Sequence, residues 1–383
     1  MEVDLARVQS MFGSAMRVLR RNLSLERQPG NAFLFAVLLC VAALAAGCVI
    51  SPRRTVGGGG TPTPTPSGSP SSTPTPVPGA AGKLYVANLN NNSILRFDNA
   101  STADANLSPS ATIAGANTAI TSPQHIFIDA GNDTLYVANQ GSVLAFQSAS
   151  TTAGGNIPPI RKITGAATGL NAPVDVGFDD AKDLLYVADT RDVLVFGNGS
   201  TADGNAPFTH DIKVGFLISA LFLDSANDRL YLADSAANAI HVFDSASTLN
   251  STAVPTRTIT GSATGLNHPS GIAIDAVGKL IVSNKGSSSI TVYPNAAAAN
   301  NNQSPIVTIQ GASTTLNGPG QIAVNGSTTL VELFVANPGG GNIPIYSDLG
   351  AHNGNVAPSR NVQGSSTGIS ASGISGITLD STR

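Results

Sequence analysis

The stretch NDTLYVANQGSVLAF, residues 132–146, holds no recognisable catalytic arrangement, yet near-copies of its centre return along most of the chain. The pattern reads LYVAN at 84–88 and 135–139, LYVAD at 185–189, LYLAD at 230–234, LIVSN at 280–284 and LFVAN at 333–337. The leading leucines lie 51, 50, 45, 50 and 53 residues apart. A period of that size marks a repeat architecture.

Each unit carries four apolar runs of strand length. The first ends just before the LYVAN element: HIFID (125–129), DVGFD (175–179), ALFLD (220–224), GIAID (271–275), QIAVN (321–325) and GITLD (376–380). A third follows it, as in SILRF (93–97) or DVLVF (192–196), and a fourth ends in glycine, as in RKITG (161–165). Four short strands in a unit of about 50 residues, separated by Asn, Ser, Asp and Gly turns, match a propeller blade better than a solenoid coil. The runs are nearly continuous rather than alternating, which predicts strands covered on both faces, as in a blade held between two neighbours. Tyr136, Val137 and their counterparts therefore repeat as core. The phase adds closure. The body opens on a second strand at residue 84 and ends on an unpaired first strand, GISGITLDS at 373–381. The sequence thus predicts an all-β, six-bladed propeller of four-stranded blades, its ring closed by the C-terminal strand joining the N-terminal blade and hiding an exposed edge.

The PxGIAID and LYVAN elements resemble the NHL and YVTN-type propeller repeats over essentially all of 83–383. The resemblance implies the fold. It leaves activity open, because such propellers include lyases, lactonases, sugar-acid hydrolases and plain binding scaffolds.

Charge excludes one class of partner. Seven of the 20 Lys and Arg but three of the 23 Asp and Glu precede residue 55, leaving a body with 13 basic and 20 acidic residues. Nucleic-acid binding needs clustered cations, so nucleic acid is not expected. The two cysteines, Cys40 and Cys48, lie outside the repeats, so packing alone must stabilise them.

The first 47 residues are expected to be a signal peptide. Arg17, Arg20, Arg21 and Arg27 precede a purely apolar run from 32 to 46, followed by Gly47 and Cys48. LAAGC, residues 44–48, resembles the bacterial lipoprotein box, which would make Cys48 the lipidated mature N-terminus, anchored by its acyl chains. Val49 in second place resembles lipoproteins sent to an outer membrane. The alternative is a single transmembrane helix of 19 residues ending at Ile50. Residues 48–82, rich in Pro, Thr, Ser and Gly, are expected to be a disordered spacer. The predicted localisation is the bacterial cell envelope, at the outer membrane or cell surface, on a lipid anchor.

Two rings of candidate site residues follow from chain direction, which brings the starts of the first strands and the ends of the second strands to one face. The inner ring reads His125, Asp175, Ala220, Gly271, Gln321 and Gly376. Three polar groups of different kinds suit a channel-mouth pocket. The outer ring is Asn88, Asn139, Asp189, Asp234, Asn284 and Asn337, whose uniformity favours turn closure, with Asp189 and Asp234 as possible exceptions for the charge they add near Asp175. The channel-mouth binding candidates are accordingly His125, Asp175, Gln321, Asp189 and Asp234.

No confident cofactor emerges, although these oxygens could hold Ca²⁺. Metal-dependent sugar-acid hydrolases of this shape would call for a glutamate, and the body's sole one, Glu332, lies just ahead of LFVAN. DAGND (129–133) and DSAND (224–228) read as hairpin turns rather than calcium loops. GSSTG (364–368) mimics a nucleophile elbow, but related turns carry Ala at its centre, so Ser366 is a loop residue. His210, His241, His268 and His352 show no metal-ligand spacing. The expected function is a non-catalytic, lipid-anchored scaffold for a protein or small-molecule ligand. The alternative is a metal-dependent lactonase, sugar-acid hydrolase or lyase acting at the channel mouth.

Overall fold

The computed structural model describes residues 82–383, apart from 329 and 371. These residues form an all-β, six-bladed propeller with four antiparallel strands to a blade. The signal peptide, Cys48 and the spacer lie outside the described residues.

Blade 1 takes its innermost strand, Ile374–Asp380, from the end of the chain and its other three from the beginning of the body, Lys83–Asn88, Ser93–Asp98 and Ala111–Ala114. Ile377 faces Val86 and Leu379 faces Leu84 in this pairing, which confirms the predicted closure. The innermost strands of blades 2 to 6 are Ile126–Asp129, Pro173–Asp179, Ile218–Asp224, Pro269–Ile274 and Ile322–Val324. Their outermost strands are Arg161–Ile163, His210–Lys213, Arg257–Ile259, Val307–Gln310 and Arg360–Val362. Each innermost strand packs against the next around the ring, and the last packs against the first.

The LYVAN strands are buried almost throughout, as both-face coverage requires. Six apolar clusters hold the molecule together, one between each pair of neighbouring blades. The cluster between blades 6 and 1 joins Phe334, Ile343 and Ile345 to Leu84, Phe97 and Ile377, so closure is apolar as well as hydrogen-bonded. Hairpins between second and third strands each turn through a residue of positive φ: Asn92, Gly141, Thr190, Asn238, Ser288 and Gly341. Asn and Gly tolerate that conformation, which explains the composition of these loops.

A second set of contacts joins the blades at the rim. In blade 2 the outward edge of the outermost strand pairs with the third-to-fourth-strand loop of blade 3. The Lys162 N–H donates to Asp203 Oδ1 (2.7 Å), the Gly204 N–H to Lys162 O (3.0 Å) and the Thr164 N–H to Gly204 O (2.8 Å). Blades 4, 5 and 6 repeat this triplet through Asn300 and Asn301, Asn353 and Gly354, and Asp104 and Ala105. Blade 1 pairs in parallel with Gly154–Gly155. An asparagine just beyond each loop then accepts from the turn after the outermost strand: Asn205 from Ala167 and Asn106 from Ser366, both at 2.7 Å. That turn starts at a glycine, Gly165 or Gly364, where φ is 124° or 120° and an added Cβ would meet the asparagine oxygen at 2.4 or 2.5 Å. Ser366 is thus a turn residue with both backbone and hydroxyl bonded to Asn106. Among the described residues, the outermost strand of blade 3, His210–Lys213, has no such partner.

Candidate functional site

The register brings the inner and outer rings to one face, with Ala188 opposite Asp175 and Asp189 opposite Pro173. On that face opens a basin of about 760 Å³, coaxial with the ring, since residues at the start of all six innermost strands line it: Ser375, His125, Val174, Ser219, Ser270 and Gly320. Beneath it a second cavity of about 240 Å³ is walled by one aliphatic residue from each innermost strand, Ile126, Val176, Leu221, Ile272, Ile322 and Ile377. The inner ring therefore separates a wide basin of mixed lining from a narrower aliphatic cavity.

The inner ring is a circuit of hydrogen bonds from blade to blade. His125 Nδ1 lies 2.9 Å from Asp175 Oδ2, linking blade 2 to blade 3. The same oxygen accepts the Leu221 N–H of blade 4 at 2.8 Å, while Oδ1 accepts the Val176 N–H at 2.9 Å. Ser219 Oγ donates to Pro269 O of blade 5, Ser270 Oγ to Pro319 O of blade 6 and Ser375 Oγ, in blade 1, to Pro123 O of blade 2, each at 2.6 Å. Gln321 spans three blades: from blade 6 its Oε1 accepts the Ile377 N–H of blade 1 at 2.8 Å, and its Nε2 donates to Ile126 O of blade 2 at 3.1 Å. Gly376 and Gly271 supply the room for this. A Cβ at 376 would sit 2.7 Å from Gln321 Oε1, and one at 271 would sit 2.5 Å from Gly320 O.

The structure thus brings His125, Asp175 and Gln321 together around the axis. Asp175 is 1 % exposed and faces only nitrogen. Asp189 and Asp234 stand apart, the first tying down the loop that leads into the innermost strand and the second closing its own turn. Asp189 accepts from the N–H groups of Asn171 and Ala172, and Asp234 from those of Ala236 and Ala237. Asn88, Asn139, Asn284 and Asn337 likewise tie the loop that leads into the innermost strand, as where Asn139 Oδ1 accepts the Thr121 N–H at 2.6 Å. Asp234 also lies 3.6 Å from Nε2 of His241, whose imidazole burial holds below its ordinary value against the pull of that carboxylate. Elsewhere Glu332 pairs with Arg360, which donates to Ala100 O and Ala103 O across the closing interface. Asp129 and Asp224 accept the N–H groups of Asn132 and Asn227, the geometry of hairpin turns. No cluster of three or more His, Cys, Asp or Glu positioned for a metal ion occurs among the described residues.

Sequence reasoning missed Lys285, His268, Ser235 and Ser372, which also line the basin. They sit in loops after the second strand or before the first, outside the two rings.

No family model matches the chain, and no curated protein does. Several solved structures align with this chain. A chain of a nidogen/laminin complex aligns with a TM-score of 0.50 at 14 % identity, covering 78 % of this chain and 97 % of that one. A functionally unknown protein from Desulfotomaculum acetoxidans aligns with a TM-score of 0.45 at 13 % identity over 69 % of this chain and 74 % of that one. Hydrazine synthase from Kuenenia stuttgartiensis gives 0.43 at 16 % identity over 60 % of this chain, which spans 58 % of that one. At 14 % identity the likeness to the nidogen/laminin chain is one of fold alone.

Proposed function

We propose that the protein is a non-catalytic binding scaffold, built on repeats of the NHL and YVTN type, that takes its ligand in the basin on the axis. The observation that carries this reading is the commitment of the inner ring. Each oxygen of Asp175 and both polar ends of Gln321 are already hydrogen-bonded to neighbouring blades. These contacts fill three of the roughly four lone-pair sites of the Asp175 carboxylate and commit it to holding blades together. What remains open to a visitor is a concave wall of mixed character, apolar at Leu89, Val174, Pro338 and Ile374 with a few polar groups between them, the usual form of a small-molecule site. The test is a thermal-shift screen of small molecules on the full chain and on Ser235→Trp, which fills the basin. Hits that stabilise the parent are expected to lose their effect in the variant; hits that keep it would place binding elsewhere and sink the proposal.

The proposal extends to location: export, cleavage before Cys48, and an acylated Cys48 on the 48–82 spacer holding the propeller at a bacterial envelope surface. The support is the basic, apolar and small-residue order ending in LAAGC. Intact mass of membrane-extracted protein should show the cleaved, acylated form, and Cys48→Ser should release the protein from the membrane. An uncleaved chain with a free thiol would overturn this part alone.

A further inference from the structure

If the basin is the ligand site, the chemistry of its wall narrows what it takes. The body carries 20 acidic against 13 basic residues, yet among the described residues no carboxylate lines the basin. Its charged or chargeable groups are Lys285, His268 and His125. The nearest acids turn away: Asp175 into the inner ring and Asp234 into its own turn. Lys285 makes no ion pair among the described residues, and its stem crosses toward blade 6, with Cγ 3.7 Å from where a Cβ on Gly318 would stand. A lone ammonium in a wall without carboxylates, on an acidic molecule, favours an anion.

The imidazoles add a second condition. His268 holds φ 48° just before Pro269, where the matching positions before Pro123 and Pro319 are Ser122 (φ 46°) and Gly318 (φ 60°). The larger ring therefore stands where the other blades place a hydroxyl or nothing. Its Nδ1 lies 2.9 Å from Asn267 Oδ1, as the Nδ1 of His125 does from Asp175 Oδ2. Both partners are oxygens that only accept, so whenever either ring is neutral its proton sits on Nδ1 and Nε2 is left as an acceptor. We infer that the basin takes a small organic acid that also carries hydroxyl groups, with its carboxylate against Lys285 Nζ and its hydroxyl protons directed to Nε2 of His268 and His125. This rests on the basin being the ligand site.

Three matched probes separate the parts: tartrate with charge and hydroxyls, succinate with charge alone and threitol with hydroxyls alone. Titration calorimetry on the full chain at low ionic strength should show saturable tartrate binding, roughly tenfold tighter than succinate and well above threitol. Lys285→Gln should weaken both acids by about tenfold or more, His268→Phe should abolish the preference for tartrate over succinate, and Lys279→Gln, on the opposite face, should change nothing. Lys285 is exposed, so its variant tests binding without threatening the fold. Failure of tartrate to bind, threitol binding as tightly as tartrate, or unchanged affinity in Lys285→Gln would each overturn the inference. If the basin-filling Ser235→Trp still abolishes binding of a neutral ligand, the basin stands as the ligand site and only its preference for acids falls.

Discussion

At Gly376 the innermost strand of blade 1 has room for hydrogen and nothing more. A methyl group there would lie 2.8 Å from both Gln124 O and His125 Cα, backbone atoms that cannot swing aside. Gly376→Ala should therefore cost roughly 1–3 kcal/mol in denaturant unfolding, the range for overpacking. Gly354→Ala, where φ is 84° but no atom comes within 4 Å, should cost about 1–2 kcal/mol from left-handed strain alone and leave the ring contacts intact. Crosslinking or exchange data showing blades 1 and 2 equally tight in the two variants would refute this account of Gly376. Asp175→Asn tests the neighbouring link. An amide keeps the shape but has one acceptor oxygen, so either the Val176 N–H or the His125 and Leu221 donors must face its nitrogen, and a buried donor goes unpaired at about 1–3 kcal/mol. A stability matching the parent in urea melts would show that the ring does not need the carboxylate. The positions of His125, Asp175 and Gln321 were legible from the repeat register. Their partners were not, because those are backbone atoms of blades brought alongside only when the circle closes.

At the scale of elements, one strand edge differs from the rest. The interval between Leu185 and Leu230 is 45 residues where the others are 50 to 53, and the missing residues are the turn that follows the outermost strand elsewhere, as in GAATGL at 165–170. Between blades 3 and 4 the chain runs KVGFLIS, residues 213–219, and Phe216 stacks on His241 with ring centroids 4.3 Å apart, in the place where Gly169 meets Leu194 one interface earlier. Without the turn there is no asparagine staple, and Asp211 and Lys213 lack the rim bonds that Lys162 and Thr164 make. Hydrogen exchange should therefore be fastest, among the outermost strands, at the amides of Asp211 and Lys213, by an order of magnitude or more relative to Lys162 and Thr164. Comparable protection at all four would show that the rim bonds add nothing to local stability. The short interval was visible in the sequence, and so were asparagines nine or ten residues beyond five of the six third-strand aromatics, such as Asn106 after Phe97 and Asn205 after Phe196, with none at that distance after Phe243. Their role was hidden because Asn suits a loop on conformational grounds alone, and no local signal distinguishes a turn former from a staple to the next blade.

Over the whole molecule, closure and burial act on every blade at once. Removing residues 373–383 takes away the strand paired with Lys83–Asn88, two aliphatic members of the closing cluster and the Ile377 bond to Gln321. The shortened chain should melt broadly and at lower temperature in calorimetry, since two edges and an apolar face are bared together. A second response spans the ring. All six tyrosines, Tyr85, Tyr136, Tyr186, Tyr231, Tyr293 and Tyr346, are buried to within 2 % exposure. Burial raises each phenol, Tyr293 to about 12 and Tyr85, Tyr186 and Tyr346 further still. Above the ordinary tyrosine value near 10 the unfolded chain loses these protons while the folded chain keeps them. The folded state then binds more protons, so stability present below pH 10 declines as pH rises, by about 1.4 kcal/mol per pH unit for each phenol still protonated in the fold. Alkaline unfolding should be steep and begin soon above pH 10. In the double variant Tyr85→Phe and Tyr186→Phe, whose hydroxyls have no hydrogen-bond partner among the described residues, neutral stability should hold and the alkaline slope should fall by about a third. An unchanged slope would assign alkaline unfolding to other groups.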